Sequence, residues 1–217
     1  VKTIAFYLPQ FHPIPENDKW WGKGFTEWTN VGKAVPQFVG HYQPRFPGEL
    51  GYYDLRVKET LKRQIELAQK YGIFGFCFYF YWFNGKRLLE KPLENFFNLS
   101  EIDFPFCLCW ANEDWTRRWD GRSDQILISQ DHTYEYDSII IHDLLTYFRD
   151  PRYILIDGRP LIIIYRANIL KDPGTTIRHW KDISIQNGFK EPLVLTTSTF
   201  GYSEPENDGF DGLIDFP

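Results

Sequence analysis

The 217-residue sequence contains no methionine and only three cysteines. Cys77, Cys107 and Cys109 sit inside apolar runs, GFCFYF and PFCLCW. An odd count in such segments excludes a disulfide framework and reads as buried thiols. Cys107 and Cys109 alternate, so they share one face of a strand, where a metal or redox pair is the competing reading. Reduced thiols favour a cytoplasmic location. No apolar run approaches the ~18 residues of a membrane span, so a transmembrane segment is not expected. Lys and Arg number 24 against 29 Asp and Glu, and the formal charge is −5. Without a basic stripe, nucleic acid is excluded as the expected partner. No Cys/His pair has zinc spacing, so neither a metal nor a cofactor is expected. There is no internal repeat and no low-complexity stretch, and the chain reads as one domain over residues 1–217. With Val1 at the start and no methionine, the native start is expected to have been removed, which leaves a cleaved signal open.

What is abundant is aromatic: 18% of residues, with 19 Phe, 13 Tyr and 8 Trp. Short apolar runs predict strands at Thr3–Leu8, Ile73–Phe80, Phe104–Trp110, Leu161–Arg166, Leu193–Thr199 and Gly212–Phe216. Most are apolar on both faces, as in a parallel sheet covered on both sides. Helical spacing predicts helices over Val57–Tyr71, Arg87–Phe97, Tyr134–Phe148 and Ile177–Asn187. An extra short strand near 153–156 precedes Asp157-Gly158, a hairpin signal, and is expected to pair with Leu161–Arg166. Alternating strands and helices mean an α/β fold, either a (β/α)8 barrel of the TIM type or an open doubly wound sheet. The first strand–helix turn, Leu8-Pro9-Gln10-Phe11-His12-Pro13, has no glycine to cradle a phosphate, which argues against a dinucleotide site. The connection from Pro9 to Arg56 is long and rich in Trp, Pro, His and Gly. Loops of that length are commonly functional, and this one is expected to lie over the active-site face.

Ligands bind at the carboxyl ends of strands in both architectures. Those ends carry Gln10, His12, Trp21, Glu27, Trp28 and Tyr42, then Tyr81 and Trp82, then Asn112 through Asp120, then Tyr165, with Asp215 on the last strand. Aromatic and hydrogen-bonding side chains come together at every end. A sugar needs both, since its C–H faces stack on rings and its hydroxyls need partners. Each residue also has a plainer reading. The tryptophans could form a loop core, Glu27 a helix cap, His12 a structural hydrogen bond, and the arginines salt bridges. Glu113 is the strongest candidate for a catalytic carboxylate, because a carboxylate directly after a buried strand is costly unless used or paired. Glu27 is the second candidate.

The segments FYLPQFHPIPENDKWWGKGFTEWTNV, HYQPRFPGELGYYDL, GFCFYFYWFNGKRLLEKPL and FPFCLCWANEDWTRRWDG resemble the WbsX-like family. That family is described as glycosyltransferases of lipopolysaccharide biosynthesis and is similar to the endo-α-mannosidases of glycoside hydrolase family 99. The resemblance runs from about Ile4 to Pro217. It implies a (β/α)8 barrel acting on a bacterial surface glycan, by transfer or by hydrolysis. The family motif falls on Gln10, His12, Trp21, Glu27, Trp28, Tyr42, Trp82, Asn112, Glu113, Trp115, Arg117, Arg118 and Trp119, with Asp114 where the pattern often has Asn. The expected partners are an oligosaccharide or polysaccharide and a nucleotide-sugar donor. A glycan-binding module without catalysis is the alternative. In the endomannosidase group the paired carboxylates come from late strands, and only six parallel strands are counted here. The length then reads as an incomplete barrel continuing past Pro217, or as a smaller open variant, with the edge at Gly212–Phe216 expected to be unpaired or covered by another chain.

Overall fold

The apolar runs become the strands of one sheet. In the computed structural model, which describes residues 1–117 and 121–216, the elements follow in this chain order. Strand β1 (Thr3–Tyr7) leads to helices α1 (Pro15–Trp21), α2 (Glu27–Lys33) and α3 (Lys58–Lys70). Then come β2 (Ile73–Phe83), β3 (Lys86–Leu88), α4 (Lys91–Phe97) and β4 (Phe106–Trp110). The hairpin β5 (Trp115–Arg117) and β6 (Arg122–Ile128) precedes α5 (Tyr134–Phe148). The chain continues through β7 (Leu155–Ile156), β8 (Arg159–Ile164), α6 (Pro173–Gln186), β9 (Leu193–Thr197) and β10 (Gly212–Ile214).

The sheet runs in the order β1-β2-β4-β8-β9-β10, and every pairing along that path is parallel. Each main strand pairs with the next main strand in sequence. A doubly wound sheet reverses its order at a switch point, so the doubly wound alternative is set aside in favour of the barrel type. The sheet is curled. Phe6 on β1 and Phe216 just after β10 come from opposite ends of the path, yet their rings meet edge-on at 5.2 Å. Among the described residues, β1 and β10 each pair on one side only.

Period two sorts each strand between the helices and the barrel interior. On β2, Phe78 meets Phe96 of α4 and Phe80 meets Tyr147 of α5. Cys77, Tyr79 and Tyr81 point the other way, and Tyr79 stacks on Phe6 at 5.5 Å. On β4, Trp110 packs against Trp180 of α6. Cys77, Cys107 and Cys109 are all free and buried. Burial pushes the Cys77 thiol far above its ordinary range, which fits an inert core thiol.

Four local readings change. The run Arg87–Phe97 is not one helix: Lys86–Leu88 folds back antiparallel onto β2, and α4 starts at Lys91. Asn84 (φ 49°) and Gly85 (φ 91°) both take left-handed backbone, the conformation of a tight hairpin turn. The stretch between Trp110 and Tyr134, for which no strand or helix is expected, contains the β5–β6 hairpin. The long first connection holds two short helices. Proline opens α1, and Thr26 caps α2 by accepting from the Trp28 N–H at 3.2 Å. The expected strand near 153–156 shortens to β7, which pairs with β8 as the hairpin signal predicted.

Candidate active site

A cavity of about 550 Å³ opens at the carboxyl ends of β1, β2, β4 and β8, within the size range of small-molecule sites. Of the residues expected there, Gln10, Trp21, Tyr81, Glu113, Trp115 and Tyr165 line it. All but Trp21, which ends α1, follow from strand phase or from a strand end. Tyr81 is an interior-facing residue of β2, and Gln10 leaves β1 to donate from Nε2 to the Tyr81 hydroxyl at 2.8 Å. Burial pushes the Tyr81 phenol up, the Gln10 bond opposes this, and the nearby charges of Glu27 and Glu113 add to it. Trp115 opens the β5–β6 hairpin, with its ring edge-on to Tyr81 and Phe83 and to Trp20 of α1. The Arg117 guanidinium lies 5.2 Å from the Trp21 ring centre, so hairpin and α1 are tied across the cavity roof.

The end of β4 is held rigidly. Gln130 Nε2 donates to the carbonyls of Ala111 (2.8 Å) and Glu113 (3.1 Å). His132 Nε2 sits 2.8 Å from the Asn112 carbonyl, and its Nδ1 lies 3.0 Å from the buried Asp137 carboxylate. The Gln130 N–H also donates to Asp114 Oδ1 at 2.6 Å. Three successive carbonyls are thus capped by the segment entering α5, and the Glu113 side chain is left facing the cavity. Its Oε1 accepts from Arg166 Nη1 at 2.7 Å, with both side chains partly buried. Sequence reading did not single out Gln130 and His132. Their one available signal was a polar triplet, Gln130-Asp131-His132, between a strand and the Thr133 helix cap.

Other candidates lie away from the lining. Trp82 is out of phase with Tyr81, so it faces the helices, is 2% exposed, and donates to Asp143 of α5 at 2.7 Å. Trp28 packs with Phe11, Tyr52 and Tyr53 and donates to the Tyr53 carbonyl, forming a small core within the first connection. His12 is buried, and Tyr42 is exposed on the first connection. Asn112 is fully buried and bonds backbone rather than cavity. Asp215 is out of phase with Ile214 and Phe216 and accepts from the Ser198 hydroxyl at 3.2 Å. Glu27 stands one layer back. Its N–H donates to the Gln10 carbonyl at 3.3 Å, its carboxylate accepts from Asn30, and burial raises its pKa. Arg118 and Trp119 lie outside the described residues. Among the described residues no group of three or more His, Cys, Asp or Glu could hold a metal ion. No described helix is long and apolar enough to cross a membrane.

The sequence profile of the glycosyltransferase WbsX family matches residues 3–217. The chain belongs to the WbsX family. This WbsX chain is also 50% identical, over 214 residues, to the uncharacterized protein WxcX of Xanthomonas campestris pv. campestris, in strains B100 and ATCC 33913. The match covers 99% of this chain and 31% of WxcX, so the chain spans about a third of that relative's length. The WbsX fold is similar to that of a GH99 endo-α-mannosidase from Bacteroides thetaiotaomicron. That comparison gives a TM-score of 0.56 at 17% identity, covering 97% of this chain and 57% of the enzyme. A second structure of that enzyme gives a TM-score of 0.54 at 17% identity, covering 97% of this chain and 60% of the enzyme. At such identity the likeness is one of fold.

Proposed function

We propose that this WbsX chain acts on a glycosidic bond of a bacterial surface glycan, with a sugar unit seated in the strand-end cavity and Glu113 at the reacting centre. The observation that carries the reading is the combination around Glu113. An ion-paired carboxylate on a capped strand end faces a cavity walled by Trp21, Tyr81 and Trp115. The rings offer stacking surface, while Gln10, Asp114 and Arg166 offer hydroxyl partners. In its ion pair Glu113 is an acceptor, suited to take a proton from an attacking hydroxyl or to hold a sugar hydroxyl. Glu27, whose carboxyl is pushed towards its neutral form by burial, is the second carboxylate, one layer behind Gln10. Arg117, whose guanidinium lies against the Trp21 ring, extends the site along the glycan; Arg118 and Trp119 are proposed as glycan contacts on the family motif alone. The buried free thiols favour action in the cytoplasm, where a nucleotide-sugar donor would be at hand.

The test is product analysis of surface polysaccharide extracted from the producing bacterium, incubated with the protein with and without nucleotide-sugar donors. Chain growth that requires a donor supports transfer, and shortened chains without one support hydrolysis. Glu113→Gln is expected to lower either rate by about 100-fold or more, and Glu27→Gln by less. Tight glycan binding with no turnover would replace this reading with a binding module.

A further inference from the structure

We infer that Arg166 is a positioning residue: it aims the Glu113 carboxylate into the cavity, and Asn112 and Phe200 hold Arg166 in place. The inference rests on Glu113 being the working carboxylate of the proposed function. Three independent contacts converge on Arg166. Its Nη1 donates to Glu113 Oε1 at 2.7 Å. Its backbone is clasped on both sides by the fully buried Asn112 amide. The Arg166 N–H donates to Asn112 Oδ1, and Asn112 Nδ2 donates to the Arg166 carbonyl, each at 2.8 Å. The clasp joins the residues that leave β4 and β8, so Glu113 and Arg166 are fixed relative to each other through backbone as well as through charge.

The third contact is the unusual one. Phe200 follows β9 and stays 58% exposed, yet its ring centre lies 3.7 Å from the Arg166 guanidinium carbon. Its backbone is left-handed, with φ 56° and ψ 31°. A bulky aromatic side chain pays a steric penalty there, and such outliers cluster where a side chain must be aimed. The conformation sets the ring under a planar cation at contact distance, an interaction arginine makes more often than lysine. Asn168 Oδ1, at 3.4 Å from Nε, holds the other edge of the guanidinium. Nε is thereby held by Asn168 and Nη1 is turned to the Glu113 oxygen.

The test uses the full protein labelled with glutamate carrying ¹³C at the carboxyl carbon, with Glu113 assigned by the loss of its resonance in Glu113→Gln. Arg166→Met is expected to move the Glu113 resonance towards those of the exposed glutamates, and Arg166→Lys to move it only part-way. On the polysaccharide assay Arg166→Met is expected to lower kcat about 100-fold with KM changed less than about threefold. Arg166→Lys is expected to recover at least about tenfold of that loss. Phe200→Ala, which keeps every hydrogen bond, is expected to lower kcat about fivefold, and it carries the test if Arg166→Met does not fold. An unmoved resonance, or a kcat within about threefold of the parent in both Arg166→Met and Phe200→Ala, overturns the inference. A moved resonance in a protein that turns over no glycan leaves the positioning geometry standing and removes the proposed function instead.

Discussion

His12 shows how a single side chain couples this fold to pH. It is 2% exposed, and among the described residues its Nδ1 has no hydrogen-bond partner. Burial lowers its pKa from 6.5 to about 4, against the opposing pull of Asp54. In the unfolded chain it titrates near 6.5, so between those values the unfolded state binds the extra proton. Its contribution is complete above about pH 6.5 and is lost as pH falls towards 4, to a total of about 3 kcal/mol. Urea denaturation at pH 7.5 and 4.5 is expected to show a smaller acid loss for His12→Phe than for the parent. Equal losses would mean the proton goes elsewhere. At this scale the sequence was partly legible. Gln10, Trp21, Tyr81, Glu113, Trp115 and Tyr165 follow from asking what a strand end carries. Trp82 does not, because Tyr81 and Trp82 are neighbours on a strand and cannot face the same way. The roles of Gln130, His132 and Arg166 depend on which carbonyl or carboxylate lies opposite, and spacing along the chain does not encode that.

Helices were legible where the apolar stripe was long. Leu61, Ile65 and Ala68 of α3 and Ile141, Leu144, Leu145 and Phe148 of α5 are all buried as their spacing required. Short elements were not. Arg87 and Leu88 read as helix because Leu89 just after them continues the Leu93, Phe96 and Phe97 stripe, whereas the left-handed Asn84-Gly85 turn commits them to β3. The β5–β6 hairpin has no apolar alternation to betray it, since its packing partners, Trp20, Tyr81 and Phe83, come from elsewhere in the chain. One element contact makes a sharp prediction. Gly75 of β2 lies so close to the Pro105 carbonyl that a Cβ would sit 2.5 Å from its oxygen. The neighbour is backbone of the segment entering β4, so it cannot swing aside. Gly75→Ala is expected to destabilise the protein by about 1–3 kcal/mol, read as a lower urea midpoint at unchanged slope. An unchanged midpoint would show that the two strands slide apart freely.

Over the whole molecule, sequential parallel pairing and curl bring residues from Leu8 to Ile169 around one cavity. The apolar runs gave the order of strands, and the family resemblance pointed to the barrel. The cavity itself came only from the three-dimensional arrangement, in which the hairpin, α1 and the segment entering α5 close over the strand ends. Aromatic abundance divides accordingly. Phe78, Phe96 and Phe106 fill the space between sheet and helices, whereas Trp21 and Trp115 wall the cavity. Trp82, Trp110 and Trp180 join the phenylalanines in the core. The central claim is that this cavity does chemistry on a glycan through Glu113. The most direct measurement is mass-spectrometric product analysis of the extracted surface polysaccharide after incubation with the parent protein and with Glu113→Gln, donors present. The account predicts altered chain lengths with the parent and about a 100-fold slower change with the variant. Equal rates for the two proteins would contradict it.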